Sequence, residues 1–264
     1  MSGHRWAARA AAAAAPAAAR AAAGAAAVAL TVTGGTLAQA DDDIDTLPAE
    51  EIAERARDAL LDARSLHLSA RGSVGATGEE GSVDLTLDRE GNCAGGVDMG
   101  DDGSVEIVKR GDDVWLKPDA AFWKNHVPIG GSTFDKILDG RYMKASADDP
   151  RLLEVTEVCD LDTFRELMTD NAGDADFDGL TKGARTEVNG APAVPVTRAE
   201  GGERLTAYVA AEGTPYPVRI TVRGGAEEGT VDFSGFDRPV PTATPSADET
   251  VDITALLGRS IKPV

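Results

Sequence analysis

Across residues 82–117 apolar and polar positions alternate. Val83, Leu85 and Leu87 stand two apart, and similar runs follow at 93–99, 104–109 and 112–117, separated by turns that contain Gly or Asp. A period of two sends successive side chains to opposite faces of a strand, so this stretch predicts an antiparallel β-meander with one buried and one wet face. The signature returns after Thr181. Residues 185–188 and 193–198 flank Asn189-Gly190, a pair suited to the positive φ angles of a type I′ hairpin, and further strands are expected at 204–210, 218–223 and 230–236.

Elsewhere the period is helical. Residues 48–65 place Ile52, Ala56, Ala59, Leu60 and Ala63 on one face, with Glu51, Glu54, Arg55, Arg57 and Asp58 mostly opposite. Between the two meanders, 119–125 follows Pro118 and carries Phe122 and Trp123. Residues 132–138 start at Ser132 as an N-cap and carry Phe134, Ile137 and Leu138, and Asp160 or Asp162 caps a helix holding Phe164, Leu167 and Met168. Amphipathic helices need an apolar surface to cover, and the sheet supplies one. The expected fold class is α+β: a curved antiparallel half-barrel sheet with helices over its concave face.

A leader precedes this unit. Residues 1–40 contain 20 alanines, no acidic residue and three arginines, with a weakly apolar run at 21–30 that ends at Ala38-Gln39-Ala40. Small residues at Ala38 and Ala40 suit signal peptidase, so cleavage is expected after Ala40. The competing reading is an Ala-rich tail behind a start codon assigned too far upstream. Val32-Thr33-Gly34-Gly35 resembles a lipoprotein cleavage box with Gly35 in the place of the modified cysteine, although small residues are common near any cleavage site. Thioether lipidation needs a thiol, and no cysteine occurs in the first 92 residues, so the expected product is extracytoplasmic, secreted or in the cell envelope, without a lipid anchor. The domain reading is a signal peptide at 1–40, one half-barrel domain at 41–236, and a Pro/Thr-rich extension at 237–264 that docks in part.

The chain carries 45 acidic against 26 basic residues, a formal net charge of −19, and loss of the three leader arginines leaves 23 basic residues and a net of −22. That sign opposes nucleic acid and direct adsorption to anionic headgroups. After the leader no run approaches the roughly 18 apolar residues that a bilayer span requires. The 224 remaining residues suffice for one substantial core, and a monomer is expected. Cys93 and Cys159 are the two cysteines of an exported chain, without a CxxC partner or nearby histidine, and point to a disulfide joining the first meander to the helical middle. Two buried thiols are the alternative.

Asn92-Cys93-Ala94-Gly95, the run 105–117 followed by Asp119-Ala120-Ala121-Phe122-Trp123, Cys159-Asp160-Leu161-Asp162, and the stretch from Tyr208 through Gly213-Thr214-Pro215 to Pro217 resemble the actinobacterial exported lipoproteins of the LppX, LprA, LprF and LprG group. The resemblance covers about residues 47–236, and its motifs are turns and packing residues. It implies the LolA-like half-barrel of that group, closed by helices over a hydrophobic cavity, and a non-catalytic role in carrying a lipid or acyl glycan in the cell envelope. An envelope transporter or membrane protein is the implied partner. Gly35 departs from the group's anchor.

The candidate cavity lining is Val83, Leu85, Leu87, Val97, Phe122, Trp123, Phe134, Ile137 and Phe164, for each of which ordinary core packing is the rival reading. With three Trp, three Tyr and six Phe in the chain, such a cavity is expected to be aliphatic. The alternative function is an extracytoplasmic scaffold or sensory domain with a filled interior, binding a protein partner. Catalysis finds little footing: His67 and His126 are the histidines beyond the leader, and neither a GxSxG elbow nor an HExxH pair is present. No cofactor is expected. Asp174, Asp176 and Asp178, followed by Gly179, match the first half of a calcium loop, but Arg185 stands where the bidentate Glu should be, which favours an acidic loop without a metal.

Overall fold

The computed structural model describes residues 43–74, 79–127, 130–149, 152, 156, 158–170, 179–224 and 228–253. Gly35, Ala38 and Ala40 of the leader, and Asp174, Asp176 and Asp178 of the acidic loop, lie outside the described residues. Thirteen strands form one sheet: β1 Ser65–Val74, β2 Glu79–Asp88, β3 Cys93–Asp98, β4 Ser104–Arg110, β5 Asp113–Pro118, β6 Tyr142–Ser146, β7 Thr181–Lys182, β8 Thr186–Val188, β9 Ala191–Glu200, β10 Glu203–Ala210, β11 Pro217–Arg223, β12 Gly229–Ser234 and β13 Thr250–Asp252. Their order is β13-β6-β5-β4-β3-β2-β1-β12-β11-β10-β9-β7, with β8 also paired to β9. The sheet is antiparallel except where β13 runs parallel to β6. It does not close, and its edges are short strands, which limits pairing with other chains.

The two expected meanders are present, joined by a strand the periodicity reading did not name. β1 pairs with β2 on one side and β12 on the other. Its Leu66, Leu68 and Ala70 alternate with Ser65, His67 and Ser69, so the period of two was legible there. The Asn189-Gly190 hairpin forms with φ of 51° and 80°, as a type I′ turn requires.

Register sorts the side chains. Pro118, Val105, Val97, Val83, Ala70, Val231, Ile220, Ala207 and Val196 stand opposite one another across nine strands, forming one apolar row on the inner face. The outer face is polar: Arg219 Nε donates to Asp232 Oδ1 at 2.7 Å, Lys117 Nζ to Glu106 Oε1 at 3.0 Å, and Lys144 lies 5.1 Å from the centre of the Trp115 ring.

Among the described residues four α-helices accompany the sheet: α1 Ala49–Asp62, α2 Ala120–His126, α3 Gly131–Leu138 and α4 Leu161–Asp170. α1 begins with Glu50 and Glu51, favourable to the helix dipole, and ends where Arg89 donates to the carbonyls of Leu61, Asp62 and Ala63 at 2.9, 2.8 and 3.1 Å. Its Ala49, Ile52 and Ala56 pack with Val194, Val196 and Val209 of β9 and β10. Leu60, one turn on, joins the larger core built from β1 to β6 and β10 to β12. α3 begins at Gly131 rather than Ser132, because Gly130 takes the left-handed N-cap position at φ 91°. Asp160, not Asp162, caps α4, accepting from the N–H of Asp162 and Thr163 at 2.8 and 3.0 Å. None of the described helices is long and apolar enough to cross a membrane.

Candidate functional site

The inner face of the sheet is graded from one end to the other. At one end Leu66, Leu87, Cys93, Val114 and Ala145 are at most 2% exposed. Lys109 shares their row through its pairing with Cys93 and Val114, and sends its ammonium to the carbonyl of Gly91 at 2.6 Å. This end is covered by Cys159 and by Leu161 at the start of α4, both fully buried in the same core. Cys159 is bonded to Cys93, with the two Cα atoms 5.2 Å apart. The disulfide therefore fixes the helical middle to β3 where the core is tightest.

The central row holds Leu68, Leu85, Gly95, Ile107 and Leu116, with Phe233 beside Leu68. The Phe164 ring of α4 lies 6.4 Å from that of Phe233. At the far end Val83 and Val97 face inward but are only half-buried, together with Met99 and Phe122. One step further out Gly81, Gly72 and Gly229 stand opposite one another and add no side chain to the inner face. The same end carries a charged rim, with Glu200 opposite Glu203 and Arg198 opposite Leu205 at the tip of the β9–β10 hairpin. The periodicity reading passed over this rim, although the loss of alternating apolar residues at 198–203 marks it.

The nine candidate lining residues divide accordingly. Leu85 and Leu87 are core, Val83, Val97, Phe122 and Phe164 are half-buried around the core, and Trp123 is buried between α2 and α3. Phe134 and Ile137 do not line the inner face. They are 46% and 53% exposed, because α3 packs on α2 instead of on the sheet. Gly131 allows that approach: a Cβ there would lie 2.1 Å from the carbonyl oxygen of Trp123.

α2 is set by Asp119. Its Oδ1 accepts from the Phe122 N–H at 2.8 Å, and its Oδ2 from the Ser104 hydroxyl at 3.0 Å. Partial burial pushes its pKa up, but the bonds from the backbone of Phe122 and Ser104, the Ser104 hydroxyl and the Ala121 N–H outweigh that and hold it below its ordinary 3.8. Asp119→Ala is expected to cost about 1 kcal/mol at neutral pH, measured by urea unfolding. A lowered folded-state pKa means that the contribution is complete above the unfolded value and lost as pH falls through the folded one. The gap between wild type and variant should thus close below pH 3.8. A gap that persisted in acid would show that the carboxylate is not the source.

The histidines fall outside this site. His67 Nδ1 lies 3.1 Å from Ser234 Oγ and its Nε2 lies 3.0 Å from Asp84 Oδ1. A hydroxyl, an imidazole and a carboxylate are thereby in line, but on the open outer face, where register places His67 opposite Ser234. Cross-strand pairing accounts for the contact. His126 is exposed, its ring 4.7 Å from that of Phe122. Among the described residues, no three His, Cys, Asp or Glu side chains converge as metal ligands would.

No family model matches the chain, and no curated protein matches it in sequence. Among solved structures the chain is similar to the Pseudomonas aeruginosa MucA/MucB complex, at 13% identity over 76% of this chain and 59% of that one, with a TM-score of 0.32. It is similar to the Mycobacterium tuberculosis lipoprotein LppX at 14% identity over 74% of this chain and 98% of that one, with a TM-score of 0.44. It is also similar to LprF from Mycobacterium bovis, at 15% identity over 75% of this chain and 97% of that one, with a TM-score of 0.49.

Proposed function

We propose that this chain is an exported, non-catalytic carrier that binds a lipid or other hydrophobic molecule against the inner face of its open sheet. The observation that carries this reading is the gradient of that face. It is apolar across nine strands, sealed at the disulfide end, and half-covered at the end marked by Val83, Val97 and the glycines. An open sheet with one apolar face has that face to cover, and an acyl chain seated there gains about 0.8 kcal/mol for each buried methylene. The Ala-rich leader and the motif resemblance to exported lipoproteins point the same way, and the absence of a thiol at Gly35 favours release over lipid anchoring.

The test is binding of a fluorescent fatty acid, cis-parinaric acid, to the delipidated full chain. A stoichiometry near one is expected, and binding should not weaken as salt is raised, since the protein's charge and that of the carboxylate share a sign and salt screens only their repulsion. Val97→Trp fills the half-covered end and should abolish binding while leaving the unfolding midpoint nearly unchanged. In a fully packed interior the added ring would cost about 1–3 kcal/mol. A destabilised Val97→Trp variant, together with no binding by the parent, would sink the carrier reading and leave a scaffold that binds a protein partner.

A further inference from the structure

Residues 235–249 connect β12 to β13, and this connector is pinned at both ends. Near β12 the Asp237 N–H donates to the Ser65 carbonyl at 2.9 Å, the Ser65 hydroxyl donates to the Arg238 carbonyl at 2.6 Å, and Val240 is 5% exposed. Near β13 the Tyr142 N–H donates to the Glu249 carbonyl at 2.8 Å, and the Ile253 N–H to the Lys144 carbonyl at 3.0 Å. Between these clasps residues 241–244 are all exposed, and among the described residues no backbone group from 239 to 245 pairs with another. Proline accounts for this shape. Pro239, Pro241 and Pro245 remove three amide donors and fix their own φ, and the residues that precede the last two, Val240 and Thr244, are pushed to extended backbone.

Four hydroxyls stand in residues 239–253, and the structure sorts them. The Ser246 hydroxyl is engaged, since it donates to Glu249 Oε2 while the Ser246 N–H donates to the same oxygen at 3.1 Å. Thr250 belongs to β13, and its Oγ1 is buried. Thr242 and Thr244 are left. Both are exposed, and among the described residues neither hydroxyl takes part in a hydrogen bond. Thr214 offers a contrast. It is exposed and precedes a proline too, but it sits in a tight bend, with its carbonyl accepting from the Tyr216 N–H at 2.7 Å. A transferase takes its acceptor as an extended peptide with the backbone clear on both sides, a form that residues 241–244 already hold and Thr214 does not.

We propose that Thr242 and Thr244 are sites of O-glycosylation by hexose, attached after export. The threonine Oγ1 attacks the anomeric carbon of a hexose activated as a lipid-linked phosphate. The bond from that carbon to the phosphate oxygen breaks, the hydroxyl proton passes to a carboxylate of the transferase, and the products are the threonyl glycoside and the lipid phosphate. The sugar shields an exposed connector whose cleavage would leave β13 held to β6 by its pairing alone. The proposal goes beyond the carrier reading and shares with it only the export of the chain.

The experiment is intact-mass analysis of the full chain secreted by an actinobacterial host that O-glycosylates its own secreted Thr/Pro-rich proteins. Wild type is expected to carry added mass in steps of one hexose, and peptide fragmentation should place it on Thr242 and Thr244. Thr242→Ala with Thr244→Ala should bring the mass down to that of the bare polypeptide. Because both side chains are exposed, the double variant should keep the unfolding midpoint of wild type stripped of its sugar, which separates modification from folding. Thr214→Ala should carry the same hexose as wild type. Secreted wild type without hexose, or a double variant that keeps its hexose in full, overturns the proposal. So does loss of the hexose in Thr214→Ala. Parinaric acid binding on the same preparations keeps the two readings apart. Ligand binding by secreted protein that bears no hexose overturns glycosylation alone, glycosylated protein that binds no ligand overturns the carrier alone, and a chain retained in the cytoplasm defeats both.

Discussion

Removing the Cys93–Cys159 bridge, by reduction or by Cys93→Ala with Cys159→Ala, is expected to lower the free energy of unfolding by about 4 kcal/mol. The two residues are 66 apart in sequence, so the bond closes a long loop in the unfolded chain and withholds much of its conformational freedom. Both sulfurs sit in side chains with no exposed surface, among Leu66, Leu87 and Leu161. Reductant must therefore wait for that end of the core to open. The effect should be read by urea unfolding with and without reductant. The midpoint should fall, and the denaturant slope should rise, because the freed unfolded chain exposes more surface. Quantitative alkylation of the unreduced, denatured protein, or a midpoint indifferent to reductant, would defeat the expectation.

Gly95→Ala is the second large effect, at roughly 3 kcal/mol of lost stability. Gly95 sits in β3 between Leu85 of β2 and Ile107 of β4, with φ at 150°, a conformation that side-chain-bearing residues rarely adopt. A Cβ built there would lie 1.9 Å from the backbone oxygen of Asp84 and 2.9 Å from the Leu85 Cα. Those atoms belong to the neighbouring strand, so relief requires β2 and β3 to part in the middle of the inner face. Gly96 is the control. Its nearest neighbour would be the Val105 carbonyl oxygen at 3.2 Å, and alanine there should cost much less. Equal midpoints for the two variants would show that the strand pair yields more easily than its register suggests.

Much of this architecture was legible because its signals are local. Alternation at Val83, Leu85 and Leu87 assigns a face without knowledge of the partner strand, and Asn189-Gly190 specifies its own turn. Asp119 marks the start of α2 in the same way, as a carboxylate directly after a strand that ends in Lys117-Pro118. β1 and the short β6 escaped, and the expected helix α3 is present but starts one residue before Ser132. β6 is five residues in a Lys-bearing stretch, too brief for a period to emerge. α3 is capped by a left-handed glycine with no side-chain oxygen to announce it, and Ser132 next door offered the conventional signal.

What the chain determined by itself is therefore the alternation of faces, the helical stripes, the hairpin at Asn189, the acidic balance and a cysteine pair placed for export. The tertiary structure decided what depends on distant partners. β1 unites the two meanders only because β12, more than 150 residues away, completes its far side, with Leu68 opposite Phe233 and Ala70 opposite Val231. β13 lies parallel to β6, with Thr250 opposite Tyr142, a pairing that no local period encodes. The fate of Phe134 and Ile137 shows the same division. Their helical spacing makes them one apolar stripe, and whether that stripe meets the sheet or the solvent depends on α3 settling against Trp123 through Gly131. Periodicity fixes which residues share a face, whereas the burial of that face is settled by the elements that reach it first.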